Sequence, residues 1–261
     1  MIKKLFLGSL LLGTVLSAEP KMEYQISLVG MNMDYREYDS SGDILDSEKS
    51  NYSDIAGAEI NYRYFLNSNS NINVNILAIA GESNYVGSYI GSGLGYGSVE
   101  STTNNIVKDI SIGYNAKNNI NRNFAFLGGV GFGYRYWQRE LSSTQIEEYT
   151  WFSARINVGL EFFYKNFTSS LIAEYQYGIN PEMSATGFDD SFDLSSANIV
   201  KLSLPIRYKI NRNFDITCAY VFEYQKIEES NVLYDSTATG YVEPDSTAYN
   251  QYIKVGMIFK Y

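Results

Sequence analysis

The chain has 261 residues, a formal net charge of −9, 24 Tyr, 14 Phe, one Cys and no His. Without His, every catalytic or metal site built on imidazole is excluded, and a single Cys excludes an intrachain disulfide framework and a Cys-rich zinc site. The acidic balance argues against nucleic-acid binding. After Val15, no apolar run reaches the roughly 18 residues of a membrane-spanning helix.

The first residues have the composition of an export signal. Lys3 and Lys4 precede an apolar run over 5–16, and two small residues follow it. A charged start, a short apolar middle and a small-residue exit are typical of a secretory signal peptide. We therefore predict that residues 1–18 are removed and that 19–261 form one domain. A buried N-terminal helix or a single anchor is the alternative, which the shortness of the run disfavours.

The rest of the chain alternates apolar and polar residues in ten successive runs. A repeat of two residues indicates a strand, because an amphipathic helix repeats near 3.6. In the sixth run, Phe152, Ile156 and Leu160 share one face, whereas Arg155 and Glu161 lie on the other. We predict strands over residues 22–36, 53–66, 71–82, 104–115, 123–138, 149–164, 167–179, 197–210, 213–227 and 248–261.

The connections between these strands alternate in length. Short polar turns are predicted near 67–71, 117–122, 165–166 and 211–212, and long loops near 38–52, 83–103, 139–148, 180–196 and 228–247. This alternation is the plan of a closed antiparallel up-and-down β-barrel in an outer membrane, with short turns in the periplasm and long loops outside. The alternatives are eight strands, or twelve strands with an extra hairpin over 83–103 or 228–247.

Twelve charged residues fall at mid-strand positions on the polar faces, six of them acidic and six basic. They are Glu59, Arg63, Asp109, Arg135, Arg155, Glu161, Glu174, Lys201, Arg207, Asp215, Glu223 and Lys254. Gly129, Gly131 and Gly133 share one such face, and glycine within strands suits a crowded lumen. A soluble two-sheet sandwich would also alternate, but these residues favour a barrel with lipid outside and ionic groups inside.

The apolar faces begin and end in aromatic residues. Aromatic rings with one polar edge prefer the two interfaces of a membrane. The predicted periplasmic ring comprises Tyr62, Tyr64, Phe124, Tyr164, Phe167, Tyr208 and Phe214, and the outer ring comprises Tyr136, Phe152, Tyr177 and Tyr224. The two rings mark the expected limits of the apolar band.

The last strand ends in the alternating residues Val255, Met257, Phe259 and Tyr261. This pattern resembles the terminal strand of bacterial outer-membrane β-barrel proteins, although Tyr261 replaces the more usual terminal Phe. The resemblance implies that these four residues are the signal read by the barrel-assembly machinery. It also implies export to a Gram-negative outer membrane, among lipid and lipopolysaccharide. The pattern is porin-like and omptin-like in outline and assigns a class, not one family within it.

Pro205 lies in the middle of a predicted strand. Because proline has no amide proton, it removes one hydrogen bond from the ladder. We therefore expect a bulge or a local irregularity at this position.

The balance of lumen charges predicts that they pair across the tube. A ten-stranded barrel is only slightly wider than one filled by its own side chains, and an unpaired buried charge costs about 3–5 kcal/mol. We therefore predict a largely plugged lumen and a structural or surface-interaction role through long acidic loops, with a protein partner outside the cell. A narrow porin-like channel for small solutes or cations is the alternative.

The strand count and the long loops resemble the omptin outer-membrane proteases in outline. Those enzymes use an acidic pair together with an Asp–His pair to activate water, and this chain has no His. We therefore predict no enzymatic activity, no metal and no cofactor, and keep a hydrolase that uses only carboxylates as a third alternative. We expect a monomer, because the apolar faces give no clear seam, and no nucleic-acid partner.

Overall fold

The computed structural model describes residues 21–88, 95–234 and 239–261. The predicted signal peptide over 1–18 lies outside the described residues. The strands are β1 (Met22–Tyr38), β2 (Ile44–Lys49), β3 (Ile55–Asn67), β4 (Ser70–Gly87), β5 (Val99–Asn119), β6 (Phe124–Ser142), β7 (Gln145–Tyr164), β8 (Phe167–Ala185), β9 (Phe192–Lys209), β10 (Phe214–Ser230), β11 (Leu233–Tyr234), β12 (Gly240–Tyr241) and β13 (Asp245–Lys260). No helix among these residues is long and apolar enough to cross a membrane.

The strands close into one antiparallel ring of ten positions. Consecutive strands pair from β3 through to β10. β10 then pairs with β13, and β1 pairs with both β13 and β3, which closes the ring. The Met22 backbone amide donates to the Tyr261 carbonyl at 3.1 Å, and the Tyr261 amide donates back at 2.9 Å. The predicted fold, a closed all-β antiparallel barrel of ten strands, is confirmed.

Short and long connections lie at opposite ends of this barrel, except that β6 and β7 are joined by two residues at the end with the longer connections. We call the end with the short turns the inner end and the end with the longer connections the outer end. The repeated segments 120–124 and 210–214 form the same inner turn: Ile120 donates its amide to the Phe124 carbonyl at 2.9 Å, and Ile210 donates to Phe214 at 3.2 Å. In both turns an Asn side chain caps a backbone amide two residues on, which is a typical Asx-turn role.

β2 and β3 together fill one position of the ring. β3 pairs with β1 over 22–31, whereas β2 pairs with β1 over 34–38. β2 also pairs with β4, from Ser47 opposite Val86 to Lys49 opposite Asn84. The predicted long loop over 38–52 is therefore wrong in its second half, which is a strand.

The other strands also extend further at the outer end than predicted. β6 and β7 are joined by the two residues 143 and 144, so the predicted long loop over 139–148 is wrong. β8 and β9 likewise take residues from both ends of the predicted loop over 180–196. β7 has 20 residues and therefore spans about 50 Å at a tilt of about 40°, roughly twice the height of an apolar membrane band.

Apolar side chains form an exposed band around the inner part of the barrel. Their exposed fractions reach 74% at Leu28 and 64% at Phe132. Aromatic pairs lie at the edge of this band that is nearer the inner end, and the ring centroids of one such pair, Phe167 and Tyr208, are 4.7 Å apart. Nearer the outer end, the outward side chains become polar, as at Glu148 and Glu182. The strands therefore project beyond the apolar band.

A buried apolar core fills much of the lumen towards the outer end. It comprises Val29, Met31, Met33, Tyr35, Ile55, Leu77, Ile79, Val107, Trp137, Tyr149, Trp151, Met183, Phe192, Leu194, Ala197, Ile199, Val221, Ile227, Ala248 and Tyr252. The expectation that inward faces are ionic is therefore wrong for this part. Here the outward faces are polar, so the barrel is packed inside like a soluble protein.

The strand that contains Pro205 runs without a bulge. Its register with β10 continues through Pro205 opposite Ala219. On the other side, the β8–β9 ladder lacks pairs between Ser169 and Ile172, although the register is the same before and after the gap. The expected local irregularity at Pro205 is therefore present as an interruption in one ladder, and it is not a bulge.

A register shift does occur on β8, nearer the outer end of the barrel. Thr150 of β7 pairs with Glu182 and Phe152 pairs with Ile179, so two residues of β8 oppose one residue of β7. Asn180, within this bulge, has a positive φ of 49°, a conformation that Asn tolerates better than most residues.

Candidate functional site

Charged side chains occupy the lumen in groups, the first of which lies near the inner end. Arg207 Nη2 lies 2.5 Å from Glu23 Oε1, and its Nε donates to Asp215. Arg63 Nη1 lies 3.5 Å from the same Glu23 carboxylate, and Lys260 Nζ lies 2.6 Å from Asp215. Three bases therefore share two buried carboxylates.

The predicted lumen residues Glu59, Lys254, Glu161 and Glu174 lie further along the tube. Lys254 Nζ lies 2.5 Å from Glu59 Oε2, and Glu161 lies 3.7 Å from Lys117 Nζ. Glu174 has no ion-pair partner among the described residues and accepts a side-chain hydrogen bond from a neighbouring glutamine.

A crossing layer spans the lumen at mid-height and comprises Asp109, Arg135, Arg155, Lys201 and Glu223. Arg135 of β6 donates two hydrogen bonds, at 3.1 and 2.9 Å, to Glu223 of β10 on the other side of the ring. Lys201 Nζ lies 2.9 Å from Glu223, and Arg155 lies 3.0 Å from Asp109. Glu223 is fully buried and Arg135 is 2% exposed. A bidentate pair, in which one guanidinium donates two parallel hydrogen bonds to one carboxylate, fixes both side chains in one geometry.

The structure places all twelve predicted lumen residues inside the barrel wall, and all but Glu174 form ion pairs. Sequence reasoning missed three of their partners, Glu23, Lys117 and Lys260. Each lies at the start or end of a strand. The alternation of faces could have identified Glu23 and Lys260, which lie on the inward faces of predicted strands.

Asparagine side chains line the inner half of the lumen between these charges. Asn115 Nδ2 donates to Asn73 Oδ1 at 2.8 Å, and Asn157 Nδ2 donates to Asn115 Oδ1 at 3.3 Å. A Cβ added at Gly129 would lie 2.2 Å from Asn115 Oδ1, and one added at Gly133 would lie 2.1 Å from Arg155 Nη2. The glycine row on β6 therefore makes room for polar side chains from its neighbours.

Three adjoining cavities occupy the same half of the lumen, with volumes of about 470, 250 and 200 Å³. They share Asn61 in their linings, and the smallest reaches Asp109 and Arg155. The lumen therefore contains solvent-sized space from the inner end up to the crossing layer.

A second ionic site, the Arg139 cluster, lies at the outer end beyond the apolar band. It comprises Tyr35, Glu37, Asp46, Glu48, Arg139, Glu147, Tyr149 and Glu243. Arg139 is fully buried, and its guanidinium lies 2.8 Å from both Glu48 and Glu147. It also donates to Glu37, and the Tyr149 hydroxyl donates to Glu243.

Acids outnumber bases in this cluster, and burial shifts their titration. Burial and the nearby Glu37 carboxylate raise the pKa of Asp46 to about 9. Burial likewise raises the pKa of Glu147 and, more strongly, the pKa of Glu243. Asp46 Oδ1 is buried without a hydrogen-bond partner. The cluster therefore retains protons at a pH where exposed carboxyl groups are ionised.

Three residues of the predicted assembly signal, Val255, Met257 and Phe259, lie on the outward face of β13, the strand that closes the ring, and Tyr261 directly follows that strand. Val255, Met257 and Tyr261 are at least half exposed, and the Phe259 ring lies 5.5 Å from the Phe214 ring. β13 pairs on both sides, with β1 and β10.

No protein-family model and no curated protein sequence matches the chain. The fold is similar to the outer membrane protease OmpT from Escherichia coli, with a TM-score of 0.64, 14% identity and coverage of 95% of this chain and 99% of that one. The translocator domain of autotransporter NalP from Neisseria meningitidis matches with a TM-score of 0.42, 8% identity and coverage of 94% and 90%. Neisserial surface protein A matches with a TM-score of 0.38, 11% identity and coverage of 94% and 100%. The predicted resemblance to outer-membrane β-barrels is confirmed at the level of the fold.

Proposed function

We propose that this barrel resides in a Gram-negative outer membrane, with its inner end in the periplasm and its outer end outside the cell. The exposed apolar band supports this location, since a continuous belt of side chains such as Leu28 and Phe132 is unfavourable in water. A closed ring also leaves no unpaired strand edge in lipid. Export through the secretory pathway, assembly through the last strand and contact with lipopolysaccharide belong to the same proposal.

In this role the barrel does not conduct solutes. The crossing layer carries the proposal, because the Arg135–Glu223 pair joins opposite walls. Beyond it the lumen is filled by large buried side chains, including Trp151 and Met31, each 1% exposed. A solute would have to break a buried ion pair, at about 3–5 kcal/mol, and then displace packed side chains.

The biochemical role of the protein is then to present its outer end as a rigid contact surface. The outward side chains there include Asp34, Glu140, Glu148, Glu182 and Glu228. They project from paired strands, so little conformational entropy is lost when a partner binds. An excess of carboxylates suits a protein partner with a basic surface and a salt-dependent association.

Recordings across a planar lipid bilayer test the closed lumen. We expect no stable conductance steps from the reconstituted wild type, and steps from a variant that combines Arg135→Ala with Trp151→Ala. Glu182→Gln, on the outward face, serves as the matched control and should be silent. Stable steps in the wild type that change when Arg155 or Glu161 is neutralised would support the channel instead.

Binding of cells that display the barrel to a surface coated with polylysine tests the contact role. We expect binding that decreases with added salt and decreases further when Glu140, Glu148 and Glu182 are all replaced by Gln. Replacement of the buried Glu223 should not affect this binding if the barrel is assembled. Binding that is equal with and without the three carboxylates would contradict the proposed surface.

A further inference from the structure

The cavities of the inner half have no part in closing the lumen. The largest, of about 470 Å³, includes Ser68 and Asn69 of an inner turn in its lining and therefore reaches the inner end. Its volume lies within the range of about 300–1,000 Å³ that is typical of small-molecule sites.

The amide groups around this cavity are not all used by one another. Asn73 is bonded through its Oδ1 and Asn157 through its Nδ2. Within the described residues, no side-chain hydrogen bond involves the other atom of either amide, Asn73 Nδ2 or Asn157 Oδ1. Asn61 Oδ1 is buried and has no hydrogen-bond partner. One donor on β4 and one acceptor on β7 are therefore unmatched around the cavity, whereas the buried Asn61 oxygen lies behind its surface.

The bases around the cavity, in contrast, are already paired, and among its acids Glu174 has no ion pair and accepts a hydrogen bond from Gln176. Arg63 and Arg207 share the Glu23 carboxylate, and Lys117 is paired with Glu161. An anionic ligand would have to compete for these bases, whereas a neutral ligand would leave the pairs in place. A hydroxyl group donates one hydrogen bond and accepts others, which matches a wall of unmatched amide donors and acceptors.

Two aromatic rings complete the lining near the inner end. Phe65 and Phe163 belong to the inward faces of β3 and β7 and are half-buried. Such rings offer an apolar surface to the C–H face of a sugar ring, while the amides bind its hydroxyl groups.

We propose that the inner cavity binds a short neutral saccharide. Entry from the periplasm depends on the orientation proposed above, but the binding itself does not. The shared chemistry is a chain of uncharged, hydroxyl-bearing rings, and two sources would supply it: a soluble glucan fragment or an N-acetylated glycan fragment of the cell wall.

Calorimetric titration of the purified full-length barrel, in a detergent without a sugar headgroup, tests this site. The probes are maltotriose, N,N′-diacetylchitobiose and the anionic trigalacturonate. We expect saturable binding of at least one neutral probe and none of the anionic one. Asn73→Ala combined with Asn157→Ala should weaken that binding by about tenfold or more, because the ligand loses hydrogen bonds in a partly buried site.

Asn198→Ala is the matched control, because Asn198 is an outward amide on β9 that bonds to Tyr175 and Ser196. Its binding should equal that of the wild type. Absence of saturable binding to a folded barrel, binding unchanged by the paired Ala substitutions, or equal binding of trigalacturonate would each overturn the saccharide site. None of these results affects the closed lumen, which the bilayer recordings test separately.

Discussion

One guanidinium faces five carboxyl groups inside the outer end of the barrel. Arg139 is fully buried, and so is Glu48, while the other four acids are at least nine-tenths buried. Five ionised carboxylates around a single cation would leave a large net charge in a site with little water, which is strongly unfavourable. Some of these carboxyl groups must therefore be protonated, which lowers the net negative charge of the cluster.

The first prediction concerns the pH dependence of this end of the barrel. Because the pKa of Asp46 is raised to about 9 and those of Glu147 and Glu243 are also raised, the folded state binds more protons than the unfolded state. The contribution of these three groups to the free energy of unfolding is therefore fully present below about pH 4 and is lost as pH rises through about 9, by up to about 1.4 kcal/mol per pH unit for each proton. Urea unfolding followed by Trp fluorescence should detect the fall, since Trp137 stacks on Tyr149 at 5.0 Å.

Asp46→Asn is the control for this prediction. It removes one titrating group and keeps the shape of the side chain, so the dependence on pH should become shallower. A stability that is flat or rises between pH 5 and pH 9 in the wild type would contradict the retained protons.

The second prediction concerns the crossing layer. Glu223→Gln leaves Arg135 and Lys201 without their carboxylate in a buried site, so we expect a loss of about 3–5 kcal/mol in the free energy of unfolding. Replacing Arg135 and Glu223 together by Met and Leu should recover part of that loss, because only the partly exposed Lys201 is then left without its carboxylate. Urea titration of the barrel in lipid vesicles measures both effects.

Glu228→Gln provides the comparison, because Glu228 pairs with Lys226 on the exposed outward face. Exposed pairs contribute about 0–1 kcal/mol. Equal effects at Glu223 and Glu228 would show that the crossing layer adds little to stability.

At the scale of the strands, the sequence predicts the inner part of the barrel well and the outer part poorly. In the apolar band, lipid outside and polar groups inside impose a strict repeat of two. At the outer end, Gln138, Arg139 and Glu140 are consecutive polar residues, and Glu147 and Glu148 adjoin. With polar side chains on both faces the alternation disappears, so continuing strands resemble a loop.

The same reason explains which parts of the ionic sites were predicted. Lumen residues such as Arg155 and Glu223 lie between apolar residues that mark the opposite face. Arg139 and Glu147 have no such markers, and Asp46 belongs to a strand of six residues that was predicted as part of a loop. Their proximity depends on β1, β2, β6 and β7 meeting in space, which no local pattern reveals.

The third prediction concerns the point where β2 replaces β3 beside β4. Gly81 has a φ of 155°, and a Cβ there would lie 1.8 Å from the Asp54 carbonyl oxygen. Gly81→Ala should therefore destabilise the barrel by about 1–3 kcal/mol, through backbone strain and displacement of β3. Thermal unfolding monitored by gel mobility is a suitable measurement.

Gly128→Ala is the matched substitution in the same type of wall. The nearest atoms to its added Cβ lie 3.9 Å away, so its effect should be small. If the two substitutions were equally tolerated, the close approach at Gly81 would be wrong.

For the whole molecule, the similarity to OmpT concerns the fold alone. With no His in the sequence, a general base with an unperturbed pKa near neutrality is missing. The fourth prediction is therefore that the purified barrel does not cleave peptides between pH 5 and pH 8. A fluorogenic peptide library measures this, and turnover abolished by a single carboxylate substitution would identify a hydrolase that uses acids alone.

The bonds between Met22 and Tyr261 have a consequence for biogenesis. β1 pairs with β3 on one side and with β13, a strand of 16 residues, on the other. The ring therefore cannot close before β13 has been synthesised. A chain that ended before Asp245 would have two unpaired strand edges, one on β1 and one on β10, and each edge could pair with another chain and promote aggregation. Synthesis of β13 thus acts as a checkpoint, because only chains that contain this strand can close the ring.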